Sequence, residues 1–379
     1  MMSELVLTDA RIVTPHAVVT GTVVVQGGVI AAIDAGRAAA GEGLDGDYLI
    51  PGLVELHTDN MERHFAPRPG VRWPSVSAAM AHDAQIAAAG ITTVFDAIAL
   101  GSTQDHDMRI TSLAEMLGGT RTARDNGMLR SDHLLHLRCE VSYPQMPDML
   151  ADMIGDPRVR LVSVMDHTPG QRQFVNPEKY REYYKGKYGF SEAELDTYLD
   201  MARARGARHS ADNRRAVTTI CQQHGVPMAS HDDATPDHVA EALADGMVVA
   251  EFPTTVEAAR LSRAGGMKVV MGGPNLIRGG SHSGNVSAGM LAELGLLDIV
   301  SSDYVPTSLV ESAFKLAQDV PGIDLPKAMA AVSQTAAEAV GLSDRGAIEV
   351  GRRGDLVRVR LVDGQPVVRT VWRDGTRVA

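Results

Sequence analysis

Short apolar, β-branched runs recur along this chain. Between Leu53 and Asp303 they alternate with Ala-rich stretches whose apolar positions follow a helical period. The runs are Leu53–His57, Thr92–Asp96, Leu134–Glu140, Arg160–Asp166, Pro227–His231, Met247–Phe252, Lys268–Met271 and Asp298–Asp303. Helices are expected at Ser77–Ala89, Asn213–His224, Pro236–Ala244, Val256–Ala264 and Asn285–Leu294. Eight strands with crossover helices match a (β/α)8 TIM-like barrel, with an open doubly wound sheet as the competing arrangement.

The two ends follow a different rhythm. Leu5–Leu7, Arg11–Val13, Thr22–Val25 and Val29–Ile33 read as short strands separated by Thr14-Pro15 and Gly27-Gly28 turns. After Ala347, Asp355–Leu361, Gln365–Val368 and Val371–Arg373 read the same way, with Asp363-Gly364 and Asp374-Gly375 as hairpin turns. The expected organisation is a small β-sandwich from residues 1–50 plus 344–379, around a barrel of residues 51–343 that carries an insertion near 174–210. Gly41-Glu-Gly-Leu-Asp-Gly46 fits G-x-G-x-x-G, but no clear strand precedes it and no helix follows, so a dinucleotide site is excluded.

Composition narrows the class. The 379 residues hold 36 Lys+Arg against 47 Asp+Glu, a net charge of −11, which disfavours nucleic acid as a partner. Cys139 and Cys221 are too few for a disulfide framework and read as core thiols. No run approaches the ~20 apolar residues of a membrane span, and the first residues lack a leader pattern. The expectation is a cytoplasmic enzyme, free of membrane contacts, with homo-oligomerisation left open.

Barrel enzymes carry their chemistry at the C-terminal ends of the strands. Here those ends read His57-Thr58-Asp59, Cys139-Glu140, Asp166-His167, His231-Asp232-Asp233 and Ser302-Asp303. Imidazole and carboxylate donors of this kind suit zinc, manganese or iron, and their number suits two ions that activate a shared water. There is no H-E-x-x-H and no P-loop; Gly280-Ser-His-Ser-Gly284 only approximates a nucleophile elbow, with His282 at its centre.

Cations follow the same strand ends: Arg63, His64, Arg68 and Arg72 after the first, and Arg172 after the fourth. Next comes a segment dense in Phe174, Tyr180, Tyr183, Tyr184, Tyr188, Phe190 and Tyr198, with Lys179, Arg181, Lys185 and Lys187 interleaved. It reads either as a lid over the site or as a surface hairpin. The Gly-rich loop Gly272–Asn285, with Asn275, Arg278, Ser281, His282 and Asn285, is suited to phosphate. A basic rim above a metal site fits a small anionic substrate carrying several phosphates.

Pro51-Gly-Leu-Val-Glu-Leu-His57 after an N-terminal β segment resembles the amidohydrolase superfamily. His57-Thr-Asp-Asn60, Pro67-Arg-Pro69, Leu135–Glu140, Met165–Phe174, Lys179–Tyr188, Ala229–Thr235, Ala250–Thr255, the 272–285 loop and Ser301–Tyr304 resemble a branch of it, the triphosphate diphosphatases of the carbon–phosphorus lyase pathway. The resemblance implies a metal-dependent barrel with a β-sandwich from both termini. It implies His57, Glu140, His167, His231 and Asp303 as metal ligands, Glu140 bridging two ions (zinc foremost) and Asp303 also acting as the base. Asp59 stands where the family has a second histidine and is taken as a ligand. Arg68, Arg172, Lys179, Tyr180, Lys187, Asn275, Arg278, Ser281, His282 and Asn285 are expected to hold the substrate. The implied reaction is phosphoanhydride hydrolysis, releasing pyrophosphate from a ribose 5-triphosphate. Hydrolysis of a cyclic amide or N-acyl sugar is the alternative, and a non-catalytic scaffold a more distant one.

Overall fold

A computed structural model describes residues 4–68, 70–103, 108–172, 181, 185, 189–281 and 284–379. Five strands open the chain: Glu4–Val13 (β1), Val18–Gln26 (β2), Val29–Ala35 (β3), Glu42–Gly43 (β4) and Tyr48–Pro51 (β5). Eight follow: Leu53–Thr58 (β6), Ile91–Leu100 (β7), Asp132–Glu140 (β8), Val159–Met165 (β9), Met228–His231 (β10), Val249–Glu251 (β11), Lys268–Gly272 (β12) and Ile299–Ser301 (β13). Leu356–Val362 (β14), Gln365–Arg373 (β15) and Thr376–Arg377 (β16) close it.

β6 to β13 lie side by side in chain order, each parallel to the next. An open doubly wound sheet reverses its order at a switch point; this sheet never does, and its two edge strands meet. The His57 carbonyl accepts from Asp303 N at 3.1 Å, and the Thr58 hydroxyl donates to the Asp303 carbonyl at 2.6 Å. The Glu55 carboxyl accepts from the backbone N–H groups of His57 and Ser302, stitching β6 to β13 from inside. Lower down, Val54 N and Val300 N donate to Val332 and Ala331 carbonyls, so one stretch of chain fills the seam.

Val54, Phe95, Leu161, Val249, Val270 and Ile299 come from six different strands yet form one cluster with Ala336, Ala337 and Val340. Such a meeting is possible only in the lumen, so helix Gln334–Ala339 and its end plug the base of the barrel. The other face of the strands packs on helices such as Ser75–Ala88 and Pro236–Ala244.

The remaining strands form a second sheet in the order β16-β15-β14-β5-β1-β2-β3, with β4 on β1. Both termini therefore share it, and Leu7, Ile12, Leu49, Leu356 and Trp372 build its core. One carboxylate ties it to the barrel. Asp132, at the start of β8, accepts from Arg345 at 2.9 Å and Arg353 at 2.7 Å and lies 3.3 Å from Arg373.

Several expected elements differ. Leu5–Leu7 and Arg11–Val13 belong to one strand, as do Gln365–Val368 and Val371–Arg373. The helix expected over 213–224 begins at Glu192 and runs 33 residues to His224. Ser191 and Glu194 form a reciprocal capping box at its start, and Gly225 ends it in the left-handed conformation. Its weakly apolar outer face hides the period that would reveal it. The 272–285 loop is not a plain loop either, because Gly273–Arg278 is a short helix. No described helix is long and apolar enough to cross a membrane.

Asp132→Asn should uncouple the two sheets, because three guanidinium groups lose their shared counter-charge. A loss of about 1–3 kcal/mol is expected, since the site is partly open to solvent. A lowered midpoint in urea unfolding checks it; an unchanged midpoint would show that the arginines are satisfied without Asp132.

Candidate metal centre

At the C-terminal mouth of the barrel, Glu251 ends β11 with a buried carboxylate. Its Oε1 lies 2.7 Å from His57 Nδ1 and its Oε2 2.8 Å from His231 Nδ1. Burial alone pushes this carboxyl up, but the surrounding His57, His136 and His231 rings hold it well below the usual carboxylate range. An ionised carboxylate only accepts, so both rings donate from Nδ1 and are left with Nε2 for a ligand. The two rings lie 6.1 Å apart and 17° from parallel, with Phe252 against both.

His136 stands on β8 beside them. Its Nδ1 donates to the Leu56 carbonyl at 2.9 Å, and burial pushes the ring down to about 3, so it is neutral. Its Nε2 is buried without a hydrogen-bond partner. His167 Nδ1 meets Glu140 Oε2 at 2.6 Å, while Ser142 Oγ donates to Glu140 Oε1 at 2.6 Å. Burial pushes Glu140 up, but His167 and Ser142 outweigh it and keep the carboxyl below its ordinary value. Asp232 Oδ2 lies 3.4 Å from His231 Nε2.

Two donor groups result, His57 with His136 and Glu251, and His167 with His231 and Asp232, each with its ligand atoms within 4.8 Å of one another. Imidazoles, carboxylates and one orphaned buried Nε2 fit a divalent cation. Asp303 lies two residues past the end of β13. Burial raises its carboxyl above the ordinary value, Asp59 and Glu251 push the same way, and His57 and Arg138 oppose them. Its Oδ2 lies 3.6 Å from where a Cβ on Gly272 would stand, ordinary van der Waals contact with the end of β12.

The backbone is bent to make this site. Asp232, Phe252 and Asp303 take φ values of 56°, 56° and 54°, each within two residues of a strand end at the mouth. A β-branched or bulky residue in this region is rare, which makes Phe252 the most costly of the three. The β6–β7 register is likewise irregular between Glu55 and Thr58, the stretch that holds His57.

Of the residues expected here from the sequence, His57, His231, His167, Glu140 and Asp303 gather at the mouth. Asp59 precedes helix Asn60–Phe65 and acts electrostatically on Asp303. Glu140, expected to bridge two ions, is engaged by His167 and Ser142. Arg172 departs from its expected role. It is buried and ion-paired with Asp233 and with Glu241 at 2.8 Å, so its charge is already matched. Asn275 is also committed elsewhere: its Oδ1 accepts from Ala288 N at 2.9 Å and its Nδ2 reaches the Val286 carbonyl, pinning helix Ala288–Glu293. Arg68 and Arg278 are exposed, and Ser281 and Asn285 half-buried. Lys179, Tyr180, Lys187 and His282 lie outside the described residues. Within the aromatic segment, Arg181 and Lys185 pair with Glu192 and Asp196 at the start of the long helix.

His136, Arg138 and Glu251 were missed by sequence reasoning that looked only at the last residue of each strand. The available signal was a charged or imidazole side chain inside an otherwise apolar run, His136 and Arg138 in Leu135–Glu140 and Glu251 in Met247–Phe252.

Behind the site a second polar network is buried. Asp96 accepts from His82 Nε2 and His133 Nδ1, each at 2.8 Å; Asp83 lies 3.3 Å from His133 Nε2; Asn60 donates to His82 Nδ1 at 3.2 Å. His133 thus sits between two carboxylates. Burial pushes it down, but Asp96 and Asp83 outweigh burial and raise it to about 9.

A family model of the amidohydrolase family matches residues 48–378, and the chain belongs to that family. It is therefore a metal-dependent hydrolase by fold and by donor set. Among curated proteins it is 46% identical over 377 residues to the alpha-D-ribose 1-methylphosphonate 5-triphosphate diphosphatase of Escherichia coli (strain K12), covering 99% of this chain and 100% of that one. An imidazolonepropionase from Deinococcus deserti is 29% identical over 205 residues, 51% of this chain and 47% of that one. Among solved structures, a 5-methylcytosine deaminase from Klebsiella pneumoniae superposes with a TM-score of 0.67 at 17% identity, covering 99% of this chain and 98% of that one. An N-acetylglucosamine-6-phosphate deacetylase from Pasteurella multocida gives 0.61 at 14% identity, covering 99% of each. At these identities the two structures show the shared fold.

Glu251→Gln should weaken metal binding about 10–100-fold, because the amide fixes the two rings less strongly; competition with a chromogenic chelator measures it. Wild-type affinity in the variant would show that the rings orient themselves. The His133 network predicts a pH dependence. A raised histidine stabilises fully below its unfolded value near 6.5 and loses that contribution as pH climbs through about 9. Thermal stability should therefore decline from pH 6.5 to 9, and the decline should flatten in Asp96→Asn. A wild-type profile flat over that interval would contradict it.

Proposed function

We propose that this chain hydrolyses the phosphoanhydride of alpha-D-ribose 1-methylphosphonate 5-triphosphate, giving the 5-phosphate and pyrophosphate. The observation that carries this reading is the full-length 46% identity to a diphosphatase of that name. The donor groups at the barrel mouth support it.

His57, His136, Glu251, His167, His231 and Asp232, with Glu140, Asp59 and Asp303 beside them, would hold one or two divalent ions, zinc foremost. A divalent ion there supplies Lewis acidity toward water and phosphoryl oxygens. Glu251 keeps the His57 and His231 rings in the tautomer that presents Nε2. Asp303 takes the proton of the attacking water at Oδ2 and delivers a proton to the departing oxygen. One P–O bond forms to water, and the anhydride P–O bond breaks with pyrophosphate leaving. Arg68 and Arg278, exposed at the rim, bind the outer phosphates, with Ser281 and Asn285 adding donors. A sugar triphosphate is too highly charged to cross a bilayer unaided, so enzyme and substrate share the cytoplasm where such triphosphates are made.

Exhaustive chelation should abolish pyrophosphate release from the ribose triphosphate, and zinc or manganese should restore it. Full turnover by demonstrably metal-free protein would end this reading. Release of ammonia or a new carboxylate from cyclic amides, without pyrophosphate release from triphosphates, would favour amide hydrolysis instead. Asp303→Asn should lower kcat by roughly two or more orders of magnitude, the scale for a positioned acid/base group. Metal content is measured in the same sample, because Asp303 stands among the donors.

A further inference from the structure

Side chains alternate along β8. Leu135, Leu137 and Cys139 join the apolar cluster between strands and helices, whereas His136, Arg138 and Glu140 face the lumen. His136 and Glu140 belong to the metal centre. Arg138 sits between them and is partly exposed, although Leu137 and Cys139 on either side are both at 0%. The outer face of β8 is packed, so water reaches Arg138 only from the open mouth of the barrel. Its stem is enclosed and its guanidinium tip is wet.

Among the described residues, no carboxylate lies within ion-pair distance of this arginine. Its Nε is buried without a hydrogen-bond partner. Four other shielded arginines are each matched by a carboxylate. Arg158 pairs with Asp156, Arg172 with Asp233, Arg214 with Asp245 and Arg353 with Asp132. A guanidinium drawn part-way out of water without a partner is destabilising. Its persistence in the lumen is explained if the missing anion arrives with the ligand. Its charge acts on both Asp303 and His136, which places it over the reacting centre and away from the outer rim.

We propose that Arg138 is a phosphate-contact residue whose guanidinium takes the non-bridging oxygens of the phosphoryl group under attack. This rests on the polyphosphate reading above and adds to it the group that makes the lumen selective for a phosphoryl centre over a neutral amide. A planar donor fork matches two phosphoryl oxygens, whereas an amide carbonyl offers one weakly charged oxygen. Contact at the attacked group strengthens as charge develops, so the residue should act on kcat more than on KM.

The test uses metal-loaded wild type, Arg138→Gln and Arg138→Lys, with inorganic phosphate as the binding probe and the ribose triphosphate as substrate. Expected for Arg138→Gln are unchanged metal content, a ligand-free Tm equal to or above wild type, and loss of the Tm rise that phosphate gives the wild type. Its kcat should fall roughly 100-fold or more, the scale for losing one donor to a developing oxyanion. Arg138→Lys should recover part of both the phosphate response and kcat, and it carries the test if the glutamine variant does not fold. Retention of the phosphate response and of kcat within about threefold by Arg138→Gln would overturn the proposal and leave the hydrolase reading standing. A lowered Tm with unaltered phosphate binding would make Arg138 structural and also overturn it. Arg138-dependent phosphate binding in a wild type that releases no pyrophosphate would sink the hydrolase reading while keeping Arg138 as an anion contact.

Discussion

The candidate metal centre depends on one buried carboxylate held between two imidazoles. Glu251 reaches His57 and His231 at 2.7 and 2.8 Å, and those residues come from strands far apart in the chain. The carboxylate is stable in this position only while both rings donate to it. That condition fixes which nitrogen of each ring carries a proton and which faces a ligand. Ring orientation, tautomer and donor direction therefore follow from one charge, and the rest of the mouth is arranged around it.

The same requirement, that a charge withdrawn from water be matched, organises the rest of the molecule. His133 lies between Asp83 and Asp96, and Asp132 gathers three arginines from the C-terminal region. Arg172 is taken up by Asp233 and Glu241. These matches are structural: they fix a helix to the barrel, one sheet to the other, and a loop to a strand end. Arg138 is left unmatched and faces the mouth, where an anionic ligand would complete the pattern.

The relatives by fold show how little the barrel dictates by itself. Structures of a cytosine deaminase and of an amino-sugar phosphate deacetylase superpose along nearly the whole chain at 14–17% identity. A shared fold positions donors at strand ends and leaves the reaction to the side chains that meet there. The backbone bends at Asp232, Phe252 and Asp303 are part of that positioning, because each turns the chain within two residues of a strand end.

The eight barrel strands and the sharing of one sheet by both termini were legible in the chain, because β-branched runs, Gly turns and helical spacing are local signals. The gathering of His57, His231 and Asp303 at the strand ends was legible as well, since a polar residue closing an apolar strand stands out. Helix Glu192–His224 was less so, because a long helix with a mostly polar surface carries little periodicity. Pairing was not legible at all. Nothing in the neighbours of Arg172 announces that Asp233 and Glu241 match it, and nothing beside Arg138 shows that no carboxylate does. His136 and Glu251 looked like flaws in apolar runs until closure of the barrel set them beside His57. Local sequence determined which elements form and which faces they bury. Only the tertiary structure decided which charges meet, because a counter-ion is chosen by distance in space and not by distance along the chain.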